Sequence, residues 1–413
     1  MRAHVVVLDE EVGWPLSSGK RIRCWQLLSR LASSFRITLL AHPNPDRDEL
    51  PAALEAFRNA GIDPKIVERT APVKRGPRFA LSVLRNLPSS LPWSVANHAS
   101  PQMLAALREI VRTDPPALIH CEWSPFARVV MKAGVDIPWL INAQNVEYRI
   151  WERLAATQTG RLKRAYLRLQ ASRFRRFECD AYRAATRVLA VSDEDAAIVR
   201  EEFGVAAGVV ENGVDPDYFR PDPSTERAAC RWLFLGSLDW LANIDAVEWL
   251  LDEIVPLATA TIPGFSVVVA GRKPPRSMRD RIAAVPNVEL VADAPDIRPL
   301  LLRSTGLIVP LRIGGGSRLK ILEALACRTP VISTKVGAEG LHLEGGQHLS
   351  IADDPAAITE AIRAHIEHPE VAARHAAAGY ERVLAEYGWQ ELSAKLGNHW
   401  QSPIGGQAVG GTL

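Results

Sequence analysis

The sequence predicts an α/β protein built from two doubly wound parallel sheets, each in its own domain. Its 413 residues are too many for one hydrophobic core. Short apolar runs of strand length alternate throughout with helix-length amphipathic segments, which is typical of parallel α/β sheets. Hydrophobic residues make up 47% of the chain and charged residues 23%, as in an ordinary globular protein.

Five strands are predicted in each half of the chain. Those of the first half cover residues 5–8, 36–40, 117–120, 139–142 and 187–191. Those of the second half cover residues 232–235, 266–270, 288–291, 306–310 and 330–333. Each group is large enough for one Rossmann-like sheet with helices on both faces. No repeat of 20–50 residues is present, which excludes a solenoid.

The domain boundary is predicted in a stretch rich in turn residues and proline. Asn212 and Gly213 form a turn, and Pro216, Pro221 and Pro223 follow in a segment that is unfavourable for a helix. The predicted parts are an N-terminal domain (1–205), a linker (206–230), a C-terminal domain (231–385), a helix expected to pack back on the N-terminal domain (386–401) and a disordered glycine-rich tail (402–413).

The sequence favours a cytoplasmic protein. No apolar run approaches the roughly 20 residues that a membrane-spanning helix needs, and the first apolar run is too short for a signal peptide. The five cysteines are scattered and form no Cys-x-x-Cys pair, so neither a disulfide framework nor a zinc site is expected.

The net charge of +2 conceals an asymmetry between the halves. Residues 1–205 carry 30 Lys/Arg and 22 Asp/Glu, a net +8, and the remainder carries −6. Segments 72–93 and 161–177 both combine basic with apolar side chains. Two interpretations remain open: solvated basic helix faces, or contact with an anionic membrane surface on the inner side of the cytoplasmic membrane. No nucleic-acid partner is predicted.

Residues 13–21 superficially resemble a phosphate-binding P-loop. The spacing between Gly13 and Gly19 is one residue too long, and Arg21 stands where a P-loop has its magnesium-binding Ser or Thr. An ATPase is therefore disfavoured, and a Rossmann dehydrogenase is too, because no Gly-x-Gly-x-x-Gly follows the first strand. A helix starting at Gly19 still presents backbone N–H groups to an anion.

A glycine-rich turn after a predicted strand carries the strongest chemical signal. It contains Gly314, Gly315, Gly316, Arg318, Lys320 and Glu323. Glycines allow a ligand to approach the backbone, and a helix starting near Ser317 offers unpaired N–H groups and a partial positive charge. Glu323 falls one to two turns into that helix, where its carboxylate can accept hydrogen bonds from ribose hydroxyls. The alternative is a glycine turn followed by a surface-charged helical turn.

With these residues the chain resembles the retaining glycosyltransferases of family four, the group-one transferases of GT-B fold. The resemblance runs over most of the chain and is strongest in residues 234–248, 314–326 and 329–340. Residues 210–215 and 218–221 resemble the family's interdomain signature, and residues 145–147 and 190–195 resemble further marks of the family. The GT-B fold implies two Rossmann-like domains facing each other across a cleft. The family implies transfer of a sugar, with retention and without an obligatory metal or other cofactor, from a UDP-, GDP- or similar nucleotide sugar to a saccharide or lipid-linked acceptor.

The resemblance assigns roles to individual residues. The donor-binding candidates are Gly19, Ser237, Asn243, Arg272, Lys273, Asp293, Gly315, Gly316, Ser317 and Glu323. The catalytic candidates, Gln144, Arg318 and Lys320, would stabilise the departing diphosphate or contact the sugar. The acceptor-side candidates are His120, Glu122, Asn145 and Glu147; for His120 and Glu122, which follow a predicted strand, a structural role at the strand end is the alternative. Glu122 and Glu147 remain unranked as a base, and no metal ligand is predicted.

Three departures from the family pattern concern the donor site. Gly315 replaces the first acid of the family's paired-glutamate motif. Gly236 and Ser237 begin the segment that usually carries an Arg and a Lys, and Gln144 stands where a histidine is often found. We expect Arg318 and Lys320 to supply the lost positive charge. The alternatives are a GT-B scaffold that binds nucleotide or glycan without catalysis, and another GT-B enzyme such as a nucleotide-sugar epimerase.

Overall fold

The computed structural model describes residues 2–69, 76–314 and 318–407, and the chain divides into two compact units. The first unit comprises Met1–Glu211 and Gln390–Leu413, and the second comprises Asn212–Trp389. Each unit has its own parallel sheet, hydrophobic core and flanking helices. The chain therefore leaves the first unit once and returns to it near the C-terminus.

The first unit is built on a seven-stranded parallel sheet in the order β3-β2-β1-β4-β5-β6-β7. Its strands are β1 (His4–Asp9), β2 (Arg36–Ala41), β3 (Ile62–Ile66), β4 (Leu118–Cys121), β5 (Trp139–Ala143), β6 (Arg187–Ala190) and β7 (Ala207–Val209). Its first nine helices are α1 (Gly19–Leu31), α2 (Leu50–Asn59), α3 (Gly76–Asn86), α4 (Trp93–His98), α5 (Pro101–Thr113), α6 (Ala127–Ala133), α7 (Glu147–Thr157), α8 (Arg161–Ala184) and α9 (Asp193–Phe203). This strand order is that of a Rossmann fold.

The five strands predicted for this unit are present, and two edge strands were not predicted. All six residues of β1 are buried, as expected of a central strand covered by helices on both faces. Strand β3 escaped prediction because Asp63, Pro64 and Lys65 interrupt its apolar pattern. Strand β7 has three residues and lies inside the stretch predicted as linker, so residues 207–209 belong to the first sheet.

The second unit is built on a six-stranded parallel sheet in the order β10-β9-β8-β11-β12-β13. Its strands are β8 (Arg231–Leu235), β9 (Ser266–Gly271), β10 (Val288–Ala292), β11 (Gly306–Val309), β12 (Val331–Ser333) and β13 (Ser350–Ile351). Its helices are α10 (Leu241–Trp249), α11 (Val255–Thr261), α12 (Arg276–Ala283), α13 (Arg298–Arg303), α14 (Leu319–Ala326), α15 (Lys335–Ala338), α16 (Pro355–Glu367) and α17 (Pro369–Glu386). The five predicted strands are again present, and only the two-residue β13 was missed.

The last helix, α18 (Trp389–Gln407), belongs to the first unit from Gln390 onward. Trp400 is fully buried, and its ring lies 5.1 Å from that of Phe35. The tail predicted from residue 402 is helical as far as Gln407, and a hydrogen bond from Arg187 to Ser402 Oγ holds this end of the helix. Residues 408–413 lie outside the described residues. Among the helices that the structure describes, none has the length and apolarity to cross a bilayer.

Candidate functional site

In the second unit, the candidate donor site includes a tight loop that follows the carboxyl end of β8. Gly236 donates a hydrogen bond to the carbonyl of Ala270 at the end of β9 (3.1 Å). A Cβ atom on Gly271 would lie 1.8 Å from the Gly236 carbonyl oxygen, so only glycine permits this approach. The Asn243 side chain packs on Gly236 from the other side, and its Nδ2 donates to the Ser237 carbonyl (2.9 Å).

Four of the predicted donor-site residues meet around this loop. Lys320, in the first turn of α14, donates from Nζ to Asn243 Oδ1 (3.0 Å), and its ammonium lies 4.9 Å from the centre of the Phe234 ring. Arg272, at the end of β9, donates from Nε to Ser237 Oγ (3.1 Å). The loop after β8, the end of β9, α10 and α14 thus bring polar groups to one edge of the sheet.

Lys320 and Glu323 are a buried cation and acid on the same helix. Burial raises the pKa of the Glu323 carboxyl to about 7, against the opposing charge of Lys320. Burial, and next the charge of Arg318, lower the pKa of the Lys320 ammonium to about 7. Glu323 is 7% exposed, and no side-chain hydrogen bond to it is found within the described part of the chain. An anionic ligand would raise the pKa of Lys320 and restore its charge.

Arg318 lies at the start of α14 and folds its guanidinium over Gly314. A Cβ atom on Gly314 would lie 2.1 Å from Arg318 Nη2, and Gly314 has a φ of +150°, so this position requires glycine. The helix begins at Leu319, slightly later than the predicted start near Ser317. The predicted donor residues Gly315, Gly316 and Ser317 lie outside the described residues.

Lys273 and Asp293 form a neighbouring turn at the same edge. Both adopt left-handed backbone conformations, with φ of 51° and 53°. Asp293 Oδ1 accepts a hydrogen bond from the Lys273 amide (2.8 Å), and Asp293 Oδ2 lies 3.8 Å from Arg279. The Asp293 carboxylate therefore braces the loop after β9, while the Lys273 side chain is exposed.

In the first unit, His120 has the structural role given as the alternative, because it lies in the core rather than at an acceptor surface. His120 is fully buried, and its Nδ1 accepts a hydrogen bond from Trp400 Nε1 (2.9 Å). This contact leaves the proton on Nε2, which donates to Glu122 Oε2 (2.8 Å). His120 therefore ties the C-terminal helix α18 to strand β4.

Glu122 is likewise saturated by internal partners. Its Oε1 accepts hydrogen bonds from Asn142 Nδ2 (2.9 Å) and Gln144 Nε2 (3.1 Å). Burial opposes its ionisation, but the hydrogen bond from His120, the charge of Arg23 and the hydrogen bond from Asn142 outweigh burial, and the pKa of the carboxyl is lowered. A buried, ionised carboxylate with these partners is unsuited to act as a base. The Gln144 amide nitrogen therefore already donates hydrogen bonds to Glu122.

Of the two predicted acids, Glu147 is better suited than Glu122 to act as a base. Its Oε1 accepts a hydrogen bond from Trp123 Nε1 (2.8 Å) at the start of α7. Burial raises the pKa of the Glu147 carboxyl to about 7, against hydrogen bonds from Trp123 and Asn145, and the charge of Glu10 adds to the rise. Asn145 thus contacts Glu147, another of the acceptor-side candidates.

A polar cluster that the sequence did not indicate adjoins Glu147. Lys20, the second residue of α1, lies 2.7 Å from Asp9 and 3.2 Å from Glu10, and its ammonium is 5.5 Å from the centre of the Trp123 ring. Glu10 Oε1 also lies 3.0 Å from His98 Nε2. The acids after β1 and the lysine at the start of α1 were available signals, whereas nothing in the sequence distinguished His98.

The predicted anion site at Gly19 is partly occupied by the protein itself. Gly19 is the first residue of α1, and the Ser18 side chain caps this helix by accepting from the Arg21 amide. Arg21 is paired with Glu11 and Glu49. Gly19 remains a candidate for binding an anion through its backbone N–H. It precedes Lys20, which already pairs with the carboxylates of Asp9 and Glu10.

Comparison with known proteins associates both units with sugar transfer. Residues 52–218 match the family described as Glycosyltransferase Family 4, and residues 229–368 match the family described as Glycosyl transferases group 1. A phosphatidyl-myo-inositol mannosyltransferase of Mycobacterium leprae is 27% identical over 216 residues, which are 50% of this chain and 57% of that protein. The chain thus matches little more than half the length of this relative.

Solved structures share the fold over almost the whole chain. Sucrose-phosphate synthase of Thermosynechococcus elongatus superposes with a TM-score of 0.73 at 17% identity, covering 98% of this chain and all of that one. The Anabaena protein HepE, solved in complex with UDP and glucose, superposes with a TM-score of 0.69 at 14% identity, covering 97% and 100%. At these identities the likeness establishes the GT-B fold.

Proposed function

Because the chain belongs to the group-one and family-four glycosyltransferases of GT-B fold, we propose that it transfers a sugar from a nucleotide-diphosphate donor to a saccharide or lipid-linked acceptor. The proposal includes retention of the anomeric configuration, no obligatory metal, and a place in polysaccharide or glycolipid synthesis at the inner face of the cytoplasmic membrane. The name of the mycobacterial relative, which acts on a phosphatidylinositol, supports a lipid-linked acceptor.

The observation that carries the proposal is the pair formed by Lys320 and Glu323 at the start of α14. Breaking a glycosyl–phosphate bond leaves negative charge on the departing diphosphate, which a nearby cation in a dry site stabilises strongly. Lys320 and Arg318 supply that charge beside the N-terminus of a helix. Glu323 provides a buried carboxylate, without a hydrogen bond from the described residues, that suits the hydroxyls of a ribose.

We place the acceptor chemistry in the first unit. Glu147, with a carboxyl pKa near 7, suits a base that takes the proton of the acceptor hydroxyl as the bond forms. The indole of Trp123 and the side chain of Asn145 hold this carboxylate in place. The side chain of Gln144 is held in a fixed orientation by the hydrogen bond that its amide nitrogen donates to the Glu122 carbonyl.

The first test is a thermal-shift panel of UDP, GDP, ADP and dTDP sugars. A ligand that binds only the folded protein stabilises it by about 2.7 kcal/mol at 100 times its Kd. We expect one nucleotide class to raise the melting temperature clearly above the others. If no donor shifts it at saturating concentration, the donor site is refuted.

The second test distinguishes transfer from the alternatives. The protein is incubated with the stabilising donor, with and without candidate acceptors, and the products are followed by NMR. Transfer with retention gives a glycoside with the anomeric configuration of the donor. Binding without turnover would instead identify a scaffold, and an epimer formed from donor alone would identify an epimerase.

A further inference from the structure

Exposed leucines and arginines are concentrated on two helices of the first unit. Of the eleven large apolar residues that are exposed in the described chain, five lie on α3, on α8 or directly after α3. We call the surface they form with neighbouring cations the α3–α8 face. Its members are Leu81, Leu84, Leu87, Leu162, Leu169, Arg78, Arg85, Arg161, Lys163 and Arg168.

Helix α3 has one anchored side and one exposed side. On the anchored side, the Phe79 ring lies 5.4 Å from the ring of Trp93, and Ser82 Oγ accepts from Trp93 Nε1 (2.8 Å). Its opposite side exposes Leu81 and Leu84, which are 48% and 60% accessible. The leucines therefore do not contribute to the core, although the helix itself is fixed.

Polar contacts join the end of α3 to the middle of α8. Arg173 of α8 donates to the carbonyl of Asn86 (3.1 Å) and to that of Leu87 (2.5 Å). Gln170 accepts from the amide of Trp93 (2.8 Å). Two segments separated by 77 to 87 residues in the sequence thus become neighbours within one unit, and their exposed leucines and cations lie on adjoining elements.

The charge of this surface has a single sign. No Asp or Glu occurs in residues 69–108 or in residues 153–177 of the sequence. Within the described chain, none of the five cations of the α3–α8 face forms an ion pair. Arg175 is not counted, because it lies 3.3 Å from Glu202.

We propose that the α3–α8 face binds the surface of an anionic lipid bilayer, with the leucines at the headgroup boundary and the cations at lipid phosphates. Interleaved leucine and arginine side chains on fixed helices are suited to such an interface. A second copy of this chain would bring surfaces of like charge together, which disfavours self-association through the face. The purpose of this contact rests on the proposed function, since it would bring the enzyme to a lipid-linked acceptor.

Vesicle flotation with the full-length chain, without donor or acceptor, tests the proposal. Vesicles of phosphatidylcholine and phosphatidylglycerol are compared with vesicles of phosphatidylcholine alone, at low and high salt. Each cation near an anionic surface contributes about a fivefold gain in affinity, so we expect at least a hundredfold preference for the anionic vesicles at low salt. High salt reduces this preference by screening.

Two matched pairs of variants locate the contact through its cations. Arg85→Gln with Arg168→Gln removes two cations from the face, and Arg58→Gln with Arg200→Gln removes two exposed arginines elsewhere in the same unit. The first pair is expected to weaken anionic-vesicle binding by about 25-fold, and the control pair by much less. Equal losses in both would mean that net charge, not this face, governs binding.

A second comparison tests the leucines. Leu81→Gln with Leu84→Gln is compared with Leu257→Gln and Leu384→Gln, which are 43% and 39% exposed in the second unit. Losing two leucines from the lipid interface is expected to weaken binding by about tenfold or more. Thermal melting confirms that each variant folds.

Three results would overturn the proposal: no binding to anionic vesicles at low salt, vesicle binding unchanged by the face variants, or a lipid-free dimer that these variants dissociate while vesicle binding persists. Since no step measures sugar transfer, the outcome is independent of catalysis. A protein that binds vesicles but never turns over a donor would refute the proposed function alone.

Discussion

Lys320 Nζ donates a hydrogen bond to Asn243 Oδ1 across 3.0 Å and so connects the start of α14 to α10. Asn243 in turn holds the Ser237 carbonyl, in the loop where the family usually carries an arginine and a lysine. A cation therefore reaches this loop from a different element of the fold. This relationship is the physical basis for expecting that Lys320 compensates for the missing pair.

Replacing Lys320 should impair turnover severely. Lys320→Ala removes a buried cation that we place at the departing diphosphate, and losing one such group costs about 10²- to 10³-fold in kcat. Nucleotide release measured at saturating donor checks this. Lys335→Ala, which removes an 81% exposed lysine of the same unit, is the control and should leave kcat unchanged. Wild-type turnover and donor affinity in both Lys320→Ala and Arg318→Ala would refute the compensation.

Glu323→Gln should weaken donor binding. Hydrogen bonds to a charged group contribute about 1.5–3 kcal/mol, so the Kd for the nucleoside diphosphate should rise roughly 10- to 100-fold. Calorimetric titration gives the Kd, and the exposed Glu253→Gln serves as the control. An unchanged Kd would exclude Glu323 from the ribose site.

The same substitution should change how stability depends on pH. The folded-state pKa of Glu323 is about 7, above the ordinary 4.5, so the unfolded chain releases this proton first as the pH rises. Its contribution to the free energy of unfolding therefore falls by about 3 kcal/mol between these values. Glu323→Gln removes that contribution, so denaturation should show a gain in stability over wild type that grows from about pH 5 to about pH 8. A difference that is constant with pH would contradict this.

Glu147 should determine the acidic limb of the activity profile. A base must be ionised, so kcat/KM is expected to rise with pH through about 7. Glu147→Gln should lower kcat by about 10²- to 10⁴-fold and abolish that limb. Glu152→Gln, an exposed position on the same helix, should preserve both. A Glu147→Gln variant with the wild-type profile would remove Glu147 from the reaction.

Trp400→Phe should destabilise the first unit, although it changes no residue that contacts donor or acceptor in the proposed sites. The phenyl ring retains most of the packing, but His120 Nδ1 loses its buried donor, at a cost of about 1–3 kcal/mol. Thermal or urea denaturation measures this cost. His120→Phe should cost more than Trp400→Phe, because it leaves both the Trp400 indole N–H and the buried Glu122 Oε2 without their partner. A loss in His120→Phe no larger than that in Trp400→Phe would assign both effects to packing alone.

Much of the fold was predictable because the central strands are buried on both faces. Residues 4–9 form an uninterrupted buried strand, and such runs are recognisable without tertiary information. Edge strands lack this signal: Pro64 lies in β3 and Gly208 in β7, and both residues argue locally against a strand.

The candidate site was predictable only where its residues are close in sequence. Lys320 and Glu323 share one helical turn, and their chemistry follows from that spacing. The partners that determine the role of His120 are distant from it in the sequence: Trp400 is 280 residues away. His120 and Glu122 therefore looked like acceptor residues, although the fold uses both internally.

The return of α18 to the first unit makes the second unit an insertion within the first. During synthesis, the whole segment from Asn212 to Trp389 must leave the ribosome before Trp400 can reach His120. At roughly 5–20 residues per second, this delay is about 10–40 seconds. The N-terminal sheet, although translated first, therefore completes its core last, and a stop codon before residue 390 would leave it permanently unfinished.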